Sequence, residues 1–86
     1  MPTFSHVKSK RLRAVLEATN VYTVPVADLR AALKLTMGAY DRDIENKEVA
    51  PGAMAGRAEA WADARVAYHR NDAVGVQAAL RRFWRG

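Results

Sequence analysis

The sequence contains no cysteine. That absence excludes a disulfide framework and every thiolate metal site. No run of about 18 apolar residues occurs, which excludes a membrane-spanning helix. The first twenty residues have no apolar core followed by a small-residue cleavage site, so the expectation is a cytoplasmic protein without a secretory signal. Histidine is scarce. His6 and His69 are the only two, and neither has a second histidine or a carboxylate at i+4 to complete a ligand pair. Asp41, Asp43, Glu45 and Glu48 form a small acidic cluster, interrupted by Arg42 and Lys47. It lacks the pattern and the central glycine of a calcium loop. Gly52 and Gly56 are not followed by the Lys-Ser/Thr pair of a phosphate-binding loop. Ser5 and Ser9 have no base placed beside them by any sequence spacing. The expectation is a non-enzymatic protein with no catalytic residue, no metal and no cofactor.

What the chain does have is helix-forming residues and positive charge. It is 86 residues long, with 14 Lys+Arg against 9 Asp+Glu and a net charge of +5; the pI is near 10.1. Half the residues are apolar, but 17 of these are alanine. The length suits one domain spanning residues 1–86. A chain this short buries only about 60% of its unfolded surface, so its stability is marginal and a partner or a second copy would help it. Self-association is usually a two-fold dimer.

Four helical segments are legible. The first runs from about Val7 to Thr19, capped by Ser5, with Leu12, Val15, Leu16 and Thr19 on one face. Val21–Val24 is β-branched and aromatic and favours extended backbone: an irregular connector, or a strand paired across a dimer. The second segment starts near Pro25 and ends near Lys47. Val26, Leu29, Leu33, Met37, Tyr40 and Ile44 form a stripe roughly 80° wide. Asp28 suits its positive end, and Pro51-Gly52 marks the break. The third spans about Ala53 to Arg70. Met54, Ala58, Trp61 and Tyr68 share one face, with Arg65 among them; Ala60, Ala64 and Ala67 form a small-residue seam. Asn71-Asp72 is a tight connection, and Asp72 caps the fourth segment, Ala73 to Arg85. There Val76, Ala79, Leu80, Phe83 and Trp84 oppose Arg81, Arg82 and Arg85. The fold class is all-α, a bundle or array of three to four helices. Met1 to Phe4 are the residues expected to be disordered.

Charge is concentrated at the two ends. Lys8, Lys10, Arg11 and Arg13 crowd the start; Arg81, Arg82 and Arg85 crowd the finish beside Trp84. If the first and fourth helices pack together, these cations form one patch that attracts phosphate through counterion release. The alternative is that the arginines are an ordinary solvated face that complements the helix C-terminus.

Residues 10–51 resemble the Cro/repressor type of helix-turn-helix. The resemblance rests on Arg11-Leu12-Arg13 and Leu16-Glu17-Ala18 in a first helix, on Asp28-Leu29-Arg30-Ala31-Ala32-Leu33-Lys34-Leu35-Thr36 in a second helix and turn, and on Tyr40-Asp41-Arg42-Asp43-Ile44-Glu45-Asn46-Lys47 before Pro51. It implies DNA binding and transcription regulation, with the helix that begins at Thr36 entering the major groove and carrying Met37, Gly38, Asp41 and Arg42 outward. Leu35 separates two structures. A straight helix over residues 26–47 points it away from the apolar stripe and exposes it; a turn at Lys34–Thr36 buries it. The stretch Trp61, Ala64, Tyr68, Asn71-Asp72, Val76 and Leu80 is also similar to one tetratricopeptide-type hairpin, which alone is an ordinary αα-hairpin.

Two functions follow. One is DNA binding by Lys8, Lys10, Arg11, Arg13, Arg42, Lys47, Arg81, Arg82 and Arg85, of a size and composition suited to a phage or mobile-element regulator. The other is a protein–protein module, an adaptor or inhibitor, presenting Trp61, Tyr68, Phe83 and Trp84 of the third and fourth helices.

Overall fold

The computed structural model describes residue 4, residues 6–46 and residues 51–85. Four α-helices follow in order: α1 over Lys10–Glu17, α2 over Val26–Asn46, α3 over Pro51–His69 and α4 over Ala73–Phe83. Among the described residues there is no strand. None of these helices is long and apolar enough to cross a membrane.

The chain enters as an arm rather than a helix. Phe4 is only 5% exposed and Val7 is also buried, so the ordered core begins at Phe4, one residue inside the stretch expected to be disordered; Met1 to Thr3 lie outside the described residues. Ser5, the expected cap, lies outside them too. The cap is Ser9, whose hydroxyl accepts from the Leu12 amide at 3.2 Å. The helix therefore starts three residues later than the periodicity suggested, because Phe4 and Val7 reach the core from non-helical backbone. It also ends earlier: Ala18 is extended, and Thr19 is exposed beyond it.

Val21–Thr23 is a turn of 3-10 helix, not extended chain. Asn20 causes it. Its side chain accepts from the Tyr22 amide at 3.1 Å, and its carbonyl accepts from the Thr23 hydroxyl at 2.7 Å. Val21 is buried beneath α4.

Helix α2 runs unbroken through Lys34, Leu35 and Thr36. Leu35 is 41% exposed, as the straight-helix alternative requires, and the turn of a Cro-type motif is absent at that point. The apolar stripe is displaced from the expected one. Leu29, Ala32, Leu33 and Thr36 are buried, whereas Val26, Met37 and Ile44 are exposed. The reason is that α2 is packed by α1 on one side and α3 on the other. The buried line runs between those neighbours and admits the small residues Ala32 and Thr36.

Helices α3 and α4 form the closest pair. Their contact is the alanine seam: Ala60, Ala64 and Ala67 are buried, whereas Trp61 and Tyr68 are half-buried at its edge. The side chain of Met54 lies outside the described residues. A β-carbon on Gly75 would lie 3.1 Å from the Ala67 methyl, so this crossing is as close as two small residues allow. Asn71 makes the connection by adopting φ 57°, a left-handed conformation that asparagine tolerates better than most residues. Asp72 then caps α4, its carboxylate accepting from the Gly75 amide at 3.0 Å. One hydrophobic cluster joins the arm, all four helices and the 3-10 turn, with Leu12, Val15, Leu16, Val76 and Leu80 at its centre.

Candidate functional site

The structure divides the cations expected to bind polyanion. Arg81 is half-buried and occupied. Its Nε donates to the Leu16 carbonyl at 2.7 Å and its Nη2 to the Ala18 carbonyl at 3.3 Å. Beside it the amide of buried Gln77 donates to the carbonyls of Val15 at 2.9 Å and Ala18 at 2.8 Å. These carbonyls belong to the end of α1, where no intrahelical amide reaches them. Arg81 is thus a structural cap, not a surface contact. Arg82 pairs with Asp63 of α3 at 2.5 Å, and Arg11 pairs with Asp28 of α2 at 3.4 Å. Both lose part of their attraction for an external anion. Lys47 lies outside the described residues.

Lys8, Lys10, Arg42 and Arg85 are exposed and Arg13 is half-buried; among the described residues none of them has an ion-pair partner. Four of them belong to two segments that meet. The ring nitrogen Nε2 of His6 lies 2.7 Å from the Trp84 carbonyl. A carbonyl only accepts, so the imidazole donates. His6 and Arg85 line one cleft of about 260 Å³ together with Ala39 and Trp84. Lys8 and Lys10 follow His6 along the chain, and Arg13 is on the next turn. The carboxylates nearby are engaged: Asp43 pairs with Arg57 across the α2–α3 contact, and Glu17 accepts from the Phe4 amide at 3.3 Å. The segments around His6 and Trp84 therefore meet, with Lys8 and Arg85 exposed on them.

The aromatic residues divide as well. Phe83 is 3% exposed, packed edge-on against Tyr40 and Trp84 at centroid distances of 6.4 and 5.3 Å; it belongs to the core, not to a partner-facing surface. Trp84 is half-buried and its indole N–H donates to the Thr36 hydroxyl at 2.9 Å, which makes it a structural ring too. Trp61 and Tyr68 border a second groove, between α2 and α3, whereas Phe83 and Trp84 line the cleft beside His6. Lys34 on the rim of that groove, and Arg30 one turn before it and bonded to the Tyr68 hydroxyl, do not stand out in the sequence. Their signal is an i, i+4 basic pair beside an apolar edge, which looks like any solvated helix face until the neighbouring helix is placed.

Of the acidic cluster, Asp43 has a fixed partner in Arg57; the side chain of Glu45, and Glu48, lie outside the described residues. Among the described residues no three metal-ligating side chains converge. No protein-family model, curated protein or solved structure matches this chain.

Proposed function

We propose that this chain is a small non-enzymatic DNA-binding protein whose phosphate contacts are Lys8, Lys10, Arg13 and Arg85. The observation that carries the reading is the His6–Trp84 contact, which sets the basic N-terminal arm beside the basic end of α4. Cations from both ends then act on one stretch of duplex, where neutralising each phosphate releases condensed counterions. Arg81 is not in this set, because its guanidinium is committed to the carbonyls at the end of α1. The set includes no asparagine, glutamine or paired arginine of the kind that reads base edges. The binding is accordingly sequence-tolerant and governed by salt.

Four phosphate contacts imply a slope of log K against log salt of about −4. Fluorescence anisotropy with a mixed-sequence duplex, titrated from low to high sodium chloride, measures it. Lys8→Ala with Lys10→Ala lowers affinity by roughly tenfold and leaves the melting temperature unchanged, since both side chains are exposed. No salt-sensitive binding to any duplex, or a double variant that binds like the parent, removes the proposal.

A further inference from the structure

A second surface has different chemistry. Helices α2 and α3 leave a trough between them. Its wider part, of about 380 Å³, lies between Val26, Leu29 and Arg30 of α2 and, opposite them, the Asn71-Asp72 turn with Ala73 and Val76 of α4. Its narrower part, of about 230 Å³, is lined by Leu33 and Met37 of α2 and by Trp61 and Arg65 of α3. Tyr68 and His69 line both parts, which therefore adjoin at these two residues. From Val26 to Met37 it follows α2 for roughly 16 Å, about three helical turns.

The floor is apolar and uncovered. Val26 is 59% exposed and Met37 46% exposed, and both sit on the edge of the apolar stripe left uncovered among the described residues. Ile44 continues that edge and is also exposed. The rims are cationic. Arg30 donates from Nε to the Tyr68 hydroxyl at 2.9 Å, which holds the ring against the trough. The Arg65 guanidinium lies 6.0 Å from the Trp61 ring centroid. Lys34 is exposed beside Met37. Among the described residues Arg30, Lys34 and Arg65 have no ion-pair partner. The carboxylate at the end of the trough, Asp72, is held by the Gly75 amide as the cap of α4.

We infer that this trough docks an acidic amphipathic helix of a partner protein. Its apolar side chains rest on Val26, Met37 and Trp61, and its carboxylates face Arg30, Lys34 and Arg65. A groove between two helices accepts a third by the ridge packing that joins helices within a bundle. Charge selects the partner. Three cations around an apolar floor favour a helix flanked by Asp and Glu and disfavour a basic one. A second copy of this chain, at net charge +5, is repelled. A single nucleic-acid strand needs open aromatic faces for its bases; here Trp61 and Tyr68 are half-buried and already contacted by Arg65 and Arg30.

The test is an NMR titration of the full chain with helix-stapled peptides of about four turns. One carries Leu at i, i+4 and i+7 with Glu on both flanks. A second has Lys in place of every Glu. A thymidine oligonucleotide is the third probe. Saturable shifts of the Val26–Met37 and Trp61–His69 amides are expected with the Glu peptide, at an affinity at least tenfold above that of the Lys peptide. Met37→Ser and Arg65→Ala, both at exposed positions, each weaken it roughly fivefold with unchanged melting temperature, whereas Lys8→Ala with Lys10→Ala has no effect. The inference is overturned if the Glu peptide causes no shifts or shifts elsewhere, or if the Lys peptide binds equally. It is also overturned if the oligonucleotide occupies the trough more tightly, or if the same amides shift with protein concentration alone.

Discussion

Thr36 closes the contact between α2 and α4. Its hydroxyl donates to the Ala32 carbonyl at 2.7 Å and accepts from the Trp84 indole at 2.9 Å, and the residue is 0% exposed. Thr36→Val keeps the shape and removes the acceptor, leaving the indole N–H without its partner. The expected cost is about 1–3 kcal/mol, read from urea unfolding. Thr36→Ser, which keeps the hydroxyl, costs less. Adding Trp84→Phe to Thr36→Val costs less than the sum of the two single changes, because no donor is then left stranded. Neither Thr36 nor Gln77 was legible as a core residue. A periodicity built on large apolar side chains treats a threonine or a glutamine as a gap, and only the neighbouring helix shows that its polar atoms are answered. Arg81 was misread for the same reason. Three arginines in five residues look alike in sequence, but one of them faces the end of α1.

At the scale of the helices, the four α-helices could be read, but not the 3-10 turn at Val21–Thr23 or the two ends of α1. Asp72 announced α4, Asn71 announced the turn before it, and the alanine seam of α3 was visible at its own spacing. What could not be read was which of two competing signals wins. Ser5 and Ser9 are equivalent as caps until Phe4 and Val7 are seen to close a turn of their own, the Val7 amide donating to the Phe4 carbonyl at 2.9 Å. The face of α2 depends on two neighbours at once, so its axis of burial lies between the directions each would impose. The glycines give a measurable contrast between open and crowded helix surface. A β-carbon at Gly38 of α2 meets nothing within 4 Å, whereas at Gly75 of α4 it would lie 2.4 Å from the Asp72 carboxylate that caps the helix. Gly38→Ala is expected to stabilise the protein by roughly 0.5–1 kcal/mol, the ordinary gain for a helix interior. Gly75→Ala displaces the cap and costs about 1 kcal/mol or more. Thermal melts of the two variants should move in opposite directions; a shift of the same sign in both contradicts the packing described for α4.

For the molecule as a whole, the sequence indicated an all-helical bundle with charge at its two ends, and the ends do meet. It did not indicate how much of that charge is spent inside the fold, on Asp28, Asp63 and the carbonyls of α1. Nor did it indicate that two surfaces of unlike character would result, a polar one where the termini join and an apolar trough across α2 and α3. The capping of α1 has a consequence in time. That helix has eight residues, too few to persist by itself in water, and the groups that terminate it stand 59 to 65 positions further along the chain. On a ribosome α1 must therefore wait for α4 to be translated before it can settle. A fragment of residues 1–72 is expected to show no hydrogen-exchange protection in α1, and slow exchange there would mean that the helix matures without the tail.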